Sequence, residues 1–279
     1  MTAEILDGKK VAEEIRAGLK REVAIMKQKP GLAAIILGND PASRIYMNIK
    51  HKACAEVGIQ SELYELPETT TEAELLRLIR KLNNNTEIHG ILVQLPLPKH
   101  VKEQHVFAAI AVEKDVDGLN ERNMGRLMAG DEKIVPCTPK GIIRLLEHYR
   151  IKIEGQNAVV VGASNVVGRP TALMLLNRNA TVSLCHIKTG NLAEYTKPAD
   201  ILVVAAGSPC LIKAGMVKDG VVVIDVGINR VGNKIIGDVD FEAVREKASY
   251  ITPVPGGVGP MTVAMLLENT VEACKNCAK

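Results

Sequence analysis

Five short runs of almost uninterrupted aliphatic residues govern what this chain can fold into: "GLAAIILG", the apolar part of "IHGILVQLPLP", "NAVVVG", "DILVVAAG" and "GVVVIDVG". Each is too short for a core helix and apolar at successive positions, so both of its faces are buried. The longer segments between them carry apolar residues at helical spacing. Strands of that kind belong to parallel sheets with helices packed on their faces, so the expected class is α/β. A length of 279 residues exceeds the roughly 100–200 of one domain, which makes two domains the expectation. Because only 3% of residues are aromatic and none is Trp, against 47% hydrophobic, the core must be built from Val, Ile, Leu and Ala.

Along the chain, Val11, Ile15, Leu19, Val23 and Met26 mark a first helix. "DPASRIYMNIKHKACAEVG" opens with a capping Asp40 and a first-turn Pro41 and closes at Gly58, predicting a helix between strands at 31–37 and "QSELYEL". A capped helix over "TTTEAELLRLIRKLNNN", a strand broken at Pro96 and Pro98, and a helix over 101–110 complete a first β–α–β series. "VEKDVDGLN" interrupts it, and a second series starts at "CTPKGIIRLLEHYR". That series continues through the strands at 157, 181, 201 and 221, a hairpin-like "INRVGNKIIGDV", a loop "TPVPGGVGPMT" and a closing helix over 261–274. The boundary is expected within 118–140, dividing the chain into domains 1–118 and 119–279.

The formal charge of +3 and the absence of a basic tract with interleaved aromatics give no case for nucleic acid. No run reaches the roughly 18 apolar residues of a membrane span, and "MTAEILDGKK" lacks the pattern of a secretory signal. Six scattered cysteines, with "CKNC" at 274–277 lacking a second ligand pair, read as reduced thiols of a cytoplasmic protein without a metal. The six histidines show neither metal spacing nor a nucleophile partner. His105 and His148 are expected on helix surfaces.

In "VVVGASNVVGRPTALMLL" a strand ends at Gly162, a loop carries Ala163, Ser164, Val167, Gly168 and Arg169, and Pro170 starts a helix. Glycines there admit a phosphate to the backbone, and the helix N-terminus supplies free N–H groups. The next strand ends in His186, Ile187 and Lys188 rather than in an acid that would bond a ribose hydroxyl, which tilts the choice from NAD towards NADP. Gln94 ends an apolar strand, where open α/β sheets place ligands. Asp115 and Asp117 sit on a loop before Gly118, either as solvated turn acids or as acceptors for an amino-heterocycle. "PVPGGVGPMT" is apolar and rich in Gly and Pro, as suits a close wall around a flat ligand. Tyr46 and Lys50 lie four apart, on one face of their helix.

Together, "GNDPASRIYMNIKHKAC", "GILVQLPLP", "EKDVDG", "PCTPKG", "VVVGASNVVGRP", "IDVGIN" and "PVPGGVGPMT" resemble, in order and over the whole chain, the bifunctional methylenetetrahydrofolate dehydrogenase and methenyltetrahydrofolate cyclohydrolase family. The resemblance implies an N-terminal α/β folate-site domain, a C-terminal Rossmann-like NADP domain, a cleft between them, a last helix returning to the first domain, and a homodimer. It places the catalytic lysine at Lys50, its glutamine partner at Gln94, a substrate-positioning tyrosine at Tyr46 and the pterin-holding aspartate at Asp117. Val93 and Leu95 beside Gln94, and Pro255, Gly256, Gly257, Val258 and Gly259, fall on further folate contacts. Gly162, Ala163, Ser164, Val167, Arg169 and Ile228 fall on cofactor contacts. Ala163 replaces an arginine that many relatives use for the NADP 2′-phosphate, and Ile187 replaces a small polar residue, so NAD stays open as the alternative cofactor.

The chemistry asks for these residue types. Hydride transfer from a methylene carbon between two nitrogens needs positioning and exclusion of water more than a base. Hydrolysis of the resulting methenyl cation moves protons from water to a departing nitrogen, which is general acid–base work. Gln94 can orient an ammonium without adding charge. Three rivals remain. The Tyr-x-x-x-Lys pair of short-chain dehydrogenases follows the glycine loop, whereas here it precedes that loop. A monofunctional dehydrogenase would leave Lys50 and Gln94 without a task. A dinucleotide-binding sensor would bind cofactor without turnover.

Overall fold

A computed structural model describes residues 2–232 and 234–277, apart from the side chain of Ala42. The chain begins β1 (Glu4–Ile5), α1 (Gly8–Ile25), β2 (Gly31–Leu37), α2 (Pro41–Val57), β3 (Gln60–Leu66), α3 (Glu72–Asn83) and β4 (Gly90–Val93). It continues through α4 (Glu103–Ala109), α5 (Glu121–Met128), α6 (Cys137–His148), β5 (Asn157–Val161), α7 (Gly168–Leu176), β6 (Thr181–Cys185) and α8 (Leu192–Thr196). It closes with β7 (Ile201–Val204), β8 (Val222–Asp225), β9 (Asn229–Val231), β10 (Lys234–Ile236), α9 (Phe241–Arg245), β11 (Tyr250–Ile251) and α10 (Val258–Cys277). Two compact units result: residues 13–137 with 263–279, and residues 1–12 with 138–262.

The first unit is built on a parallel three-stranded sheet in the order β3-β2-β4. Every residue of the central β2 is buried, as its unbroken apolar run requires. Ala33, Ile35 and Leu37 of β2 join Ile91 and Val93 of β4 and Leu75, Ile79 and Leu82 of α3 in one core cluster. Each buried Val, Leu or Ile among these contributes about 1.5–3 kcal/mol when removed from water. A capping box starts α3: Glu74 N donates to Thr71 Oγ1, and Thr71 N donates to Glu74 Oε2 at 2.9 Å. Asp40 starts α2 by accepting from Ser43 N at 2.8 Å, and Gly58 ends it with φ +91°, a left-handed conformation that favours glycine.

In the second unit all strands of the sheet β1-β11-β8-β7-β5-β6 run parallel. The register pairs Val161 with Val204 and Val204 with Asp225. The carboxyl ends of β5, β7 and β8 therefore stand side by side, and the loops after them share one edge. The polar hairpin is the antiparallel pair β9–β10.

Several elements depart from the sequence expectation. β1 and β11 are two-residue strands, too short to show a period. α5 and α9 come from polar stretches without a clear helical period; Asn120 caps α5 by accepting from Arg122 N at 2.9 Å, and α9 buries Val244 without a side-chain cap. α10 starts at Val258 rather than 261, because Pro260 falls in its first turn, where no N–H is needed. The compact units also do not follow one cut at 118/119. Ala3 N bonds Arg245 O, Glu4 N bonds Ser249 O and Leu6 N bonds Ile251 O, which ties the N-terminus to the second unit. Asn269 of α10 donates to Val116 O at 2.9 Å and Val135 O at 3.1 Å, which ties the end of the chain to the first. Among the described residues no helix is long and apolar enough to cross a membrane.

Buried His89 carries a stability consequence. Its Nδ1 accepts from Gly31 N at 2.9 Å, while Nε2 is buried without a partner among the described residues. Burial, reinforced by the nearby Lys114 charge, holds its pKa below the usual imidazole value. The unfolded chain then takes up the proton first as pH falls, so stability is full above the unfolded pKa near 6.5 and declines below it. Urea midpoints at pH 7.5 and 5.5 should show this loss, with a limiting slope of about 1.4 kcal/mol per pH unit for one proton. His89→Gln should flatten it; an unchanged slope in that variant would place the proton uptake elsewhere.

Candidate active site

Helix α2 and the end of β4 bring the first set of side chains together. Tyr46 and Lys50 share a face of α2, and both are half-buried. The β ladder continues one step past β4, because Gln94 N donates to Ile35 O at 2.8 Å. That bond fixes where the Gln94 side chain starts. Its Nε2 donates to Leu95 O at 2.7 Å, so Oε1 is left to accept from Lys50 Nζ at 2.9 Å. The amide thus has a defined orientation and presents an uncharged acceptor to Lys50 Nζ. Burial raises the pKa of the Tyr46 hydroxyl, which keeps it a neutral hydrogen-bonding group. Ser43, absent from the sequence reading, holds the α2 start against this strand end: its Oγ donates to Asp40 Oδ2 at 2.7 Å and lies 3.4 Å from Leu95 O. Its signal was present as a Ser three residues after a capping Asp.

The two loop acids separate in role. Asp115 is 1% exposed and accepts from Leu119 N at 3.1 Å, Asn120 N at 2.9 Å and Asn123 Nδ2 at 2.8 Å. Burial pushes its carboxyl up to about 7, with those donors pulling the other way. It is spent on the loop. Gly118 has φ +72°, and a Cβ there would sit 2.4 Å from Val135 C, so the chain must turn sharply straight after Asp117. Asp117 itself is half-buried, and it is not among the acceptors of the loop's backbone N–H groups that Asp115 collects. Val93, in contrast, is 2% exposed inside the core cluster, so only its backbone can meet a substrate. A groove of about 820 Å³ in the same unit, lined by Ile110, Glu113, Arg122, Arg126 and Lys133 among others, includes none of these site residues.

In the second unit, Gly162 has φ +114°, and a Cβ on Gly168 would lie 1.7 Å from Gly162 O. Only glycine lets the loop fold back this tightly against the start of α7. Ser164 Oγ accepts from Val167 N at 3.1 Å and Gly168 N at 3.4 Å, which holds the turn. Arg169 Nε donates to Ala163 O at 3.1 Å, so the guanidinium is anchored at the loop despite the alanine at 163. A strand end, a glycine turn, a helix N-terminus and a fixed cation fit the diphosphate and phosphate groups of NADP. Ile228, 52% exposed, offers an apolar face on the loop after β8. The 253–259 segment roots at buried Thr252, with Pro255 exposed and Val258 4% exposed. Val258 and Gly259 lie in the first turn of α10 rather than in the loop. Among the described residues no group of three or more His, Cys, Asp or Glu could hold a metal ion.

Comparison with known proteins establishes the family. The family model of the tetrahydrofolate dehydrogenase/cyclohydrolase catalytic domain matches residues 6–117, and that of its NAD(P)-binding domain matches residues 136–278. The chain belongs to the tetrahydrofolate dehydrogenase/cyclohydrolase family. It is 57% identical to the bifunctional protein FolD of Moorella thermoacetica over 99% of this chain and 100% of that one. The bifunctional methylenetetrahydrofolate dehydrogenase/cyclohydrolase of Campylobacter jejuni superposes with a TM-score of 0.97 at 53% identity, covering 98% of this chain and 99% of the other. The Trypanosoma brucei dehydrogenase-cyclohydrolase, solved with NADP cofactor and inhibitor, gives 0.97 at 38% identity, over 100% of this chain and 99% of the other. Among members of this family, then, the sequence reading of fold class and family stands.

Proposed function

We propose that this chain oxidises 5,10-methylenetetrahydrofolate to the 5,10-methenyl cation with NADP⁺ and hydrolyses that cation to 10-formyltetrahydrofolate. The observation that carries the reading is the Lys50 Nζ–Gln94 Oε1 hydrogen bond of 2.9 Å, one helical turn from Tyr46. A bare dehydrogenase has no use for a positioned proton carrier; a cyclohydrolase does. When bound, NADP⁺ supplies the hydride acceptor. Gly162, Ser164 and the start of α7 bind its phosphates, Arg169 its extra charge, and Ile228 packs against it. Asp117 accepts from the amino-pterin, and Tyr46 orients the ring system. In the second step, water adds to the methenyl carbon and gives one proton to the neutral amine of Lys50; the second proton of that water leaves to solvent as the carbinol hydroxyl becomes the formyl C=O. Lys50 Nζ carries the first proton to the ring nitrogen as the carbon–nitrogen bond breaks. Gln94 keeps Nζ in place without a carboxylate that would hold its proton more firmly. Residues 1–118 supply the folate site, and residues 119–279 bind NADP, in a cytoplasmic homodimer of one-carbon metabolism.

The test mixes the purified chain with methylenetetrahydrofolate and either NADP⁺ or NAD⁺, and follows reduced cofactor, methenyl- and formyl-tetrahydrofolate together. NADP⁺ reduction with prompt formyl product is expected. Reduction without formyl product would reject the second activity; reduction with NAD⁺ alone would make Ala163 and Ile187 decisive. For Asp117→Asn, folate KM should rise about tenfold, the equivalent of one charge-assisted hydrogen bond, with NADP⁺ KM unchanged. An unaltered folate KM would remove Asp117 from the substrate site.

A further inference from the structure

Resting on the NADP reading above, we infer that Asp225 and Asp238 form a positioning pair that shapes the cofactor wall at the carboxyl ends of β7 and β8. Asp238 is 0% exposed, yet it carries no cationic partner among the described residues. Its Oδ2 accepts from Ala206 N at 2.6 Å and Gly207 N at 2.8 Å; its Oδ1 accepts from Ser208 N at 2.9 Å and Asn229 Nδ2 at 2.8 Å. One carboxylate thereby gathers the whole 206–208 loop and the residue after Ile228. Asp225, 3% exposed, takes the other side: Oδ1 accepts from Gly227 N at 2.9 Å and Asp238 N at 3.0 Å, and Oδ2 from Val239 N at 3.0 Å. Ile228 is thus held between a Gly227 bonded to Asp225 and an Asn229 bonded to Asp238. The Asp225 backbone N also donates to Thr252 Oγ1 at 2.7 Å, which links the pair to the root of the 253–259 segment.

The glycines around the pair follow from it. A Cβ on Gly227 would meet Asp238 Oδ1 at 2.4 Å, and a Cβ on Gly237 would meet Asp225 Oδ2 at 1.8 Å. Both carboxylates are admitted only because these positions lack a side chain. Buried acids that collect backbone N–H groups are commonly spent on loop structure alone. Here two of the loops they hold, 206–208 and 227–229, leave strand ends in the register that carries Gly162: Val161 pairs with Val204, and Val204 with Asp225. Ligands of open α/β sheets lie across that edge. Neither acid touches the cofactor in this reading; each sets where Ile228 and the 206–208 backbone stand.

The experiment compares wild type with Asp238→Asn and the milder Asn229→Ala. It measures NADP⁺ KM and kcat for the dehydrogenase, and separately the hydrolysis of added methenyltetrahydrofolate, which consumes no NADP⁺. In Asp238→Asn the amide loses acceptor capacity and turns an N–H towards backbone donors. NADP⁺ KM should rise tenfold or more while methenyl hydrolysis and folate KM stay within about twofold. Asn229→Ala should raise NADP⁺ KM about threefold. Unchanged NADP⁺ KM in both variants would overturn the inference, as would equal losses of both activities in step with a lowered Tm. If Asp238→Asn does not fold, Asn229→Ala alone decides. A wild-type chain that reduces no NADP⁺ would instead reject the function on which the inference rests, and is scored before either variant.

Discussion

Lys50→Met should abolish methenyl hydrolysis, with a loss of about 10²–10⁴ in rate, the range contributed by one positioned proton carrier. Methionine keeps the length and apolar stem of the side chain, so α2 should remain formed and Tm should move little. It removes the Nζ that Gln94 Oε1 accepts from, leaving a part-buried amide oxygen without its partner, at a cost of about 1–3 kcal/mol at most. NADP⁺ binding should be untouched, because the residues proposed for it belong to the other compact unit. The measurement is twofold: formyl product from added methenyltetrahydrofolate, and NADPH production from methylenetetrahydrofolate. A variant that retains full hydrolysis would end the assignment of Lys50.

Gly168→Ala is expected to do the reverse. A single methyl placed 1.7 Å from Gly162 O overlaps the carbonyl outright, so either the 162–168 turn opens or α7 shifts. The Ser164 Oγ bonds to Val167 N and Gly168 N cannot survive unchanged. Dehydrogenase activity should fall at least a hundredfold, chiefly as NADP⁺ KM, while methenyl hydrolysis stays within about threefold. An ordinary NADP⁺ KM in this variant would show that the turn does not carry the phosphates. Together the two substitutions should split the activities, each disabling one and sparing the other.

Particular residues show where the sequence is legible. The glycine–serine loop, Gln94 at a strand end and the Tyr46–Lys50 pair are local patterns: their spacing is fixed by 2- and 3.6-residue periods within one element. The family resemblance supplied the pairing of Lys50 with Gln94, which lie 44 residues apart; no period links them. Asp225 and Asp238 went unread for the same reason. An acid at the end of an apolar strand and another after a hairpin look like rim residues until the sheet register brings their loops together.

By itself the sequence determined the α/β class, the parallel strands, the caps of α2 and α3 and the sites where a backbone must approach closely, because these depend on neighbouring residues and on burial of whole segments. Only the tertiary structure decided that Asp115 of the 115–117 loop is spent on hydrogen bonds, that Val93 is core, and that the short β1 and β11 carry the N-terminus into the second unit. Those outcomes depend on hydrogen-bond partners and volumes contributed by residues distant in the chain. A side chain's chemistry is written at its own position, but whether it is consumed is settled by what packs against it.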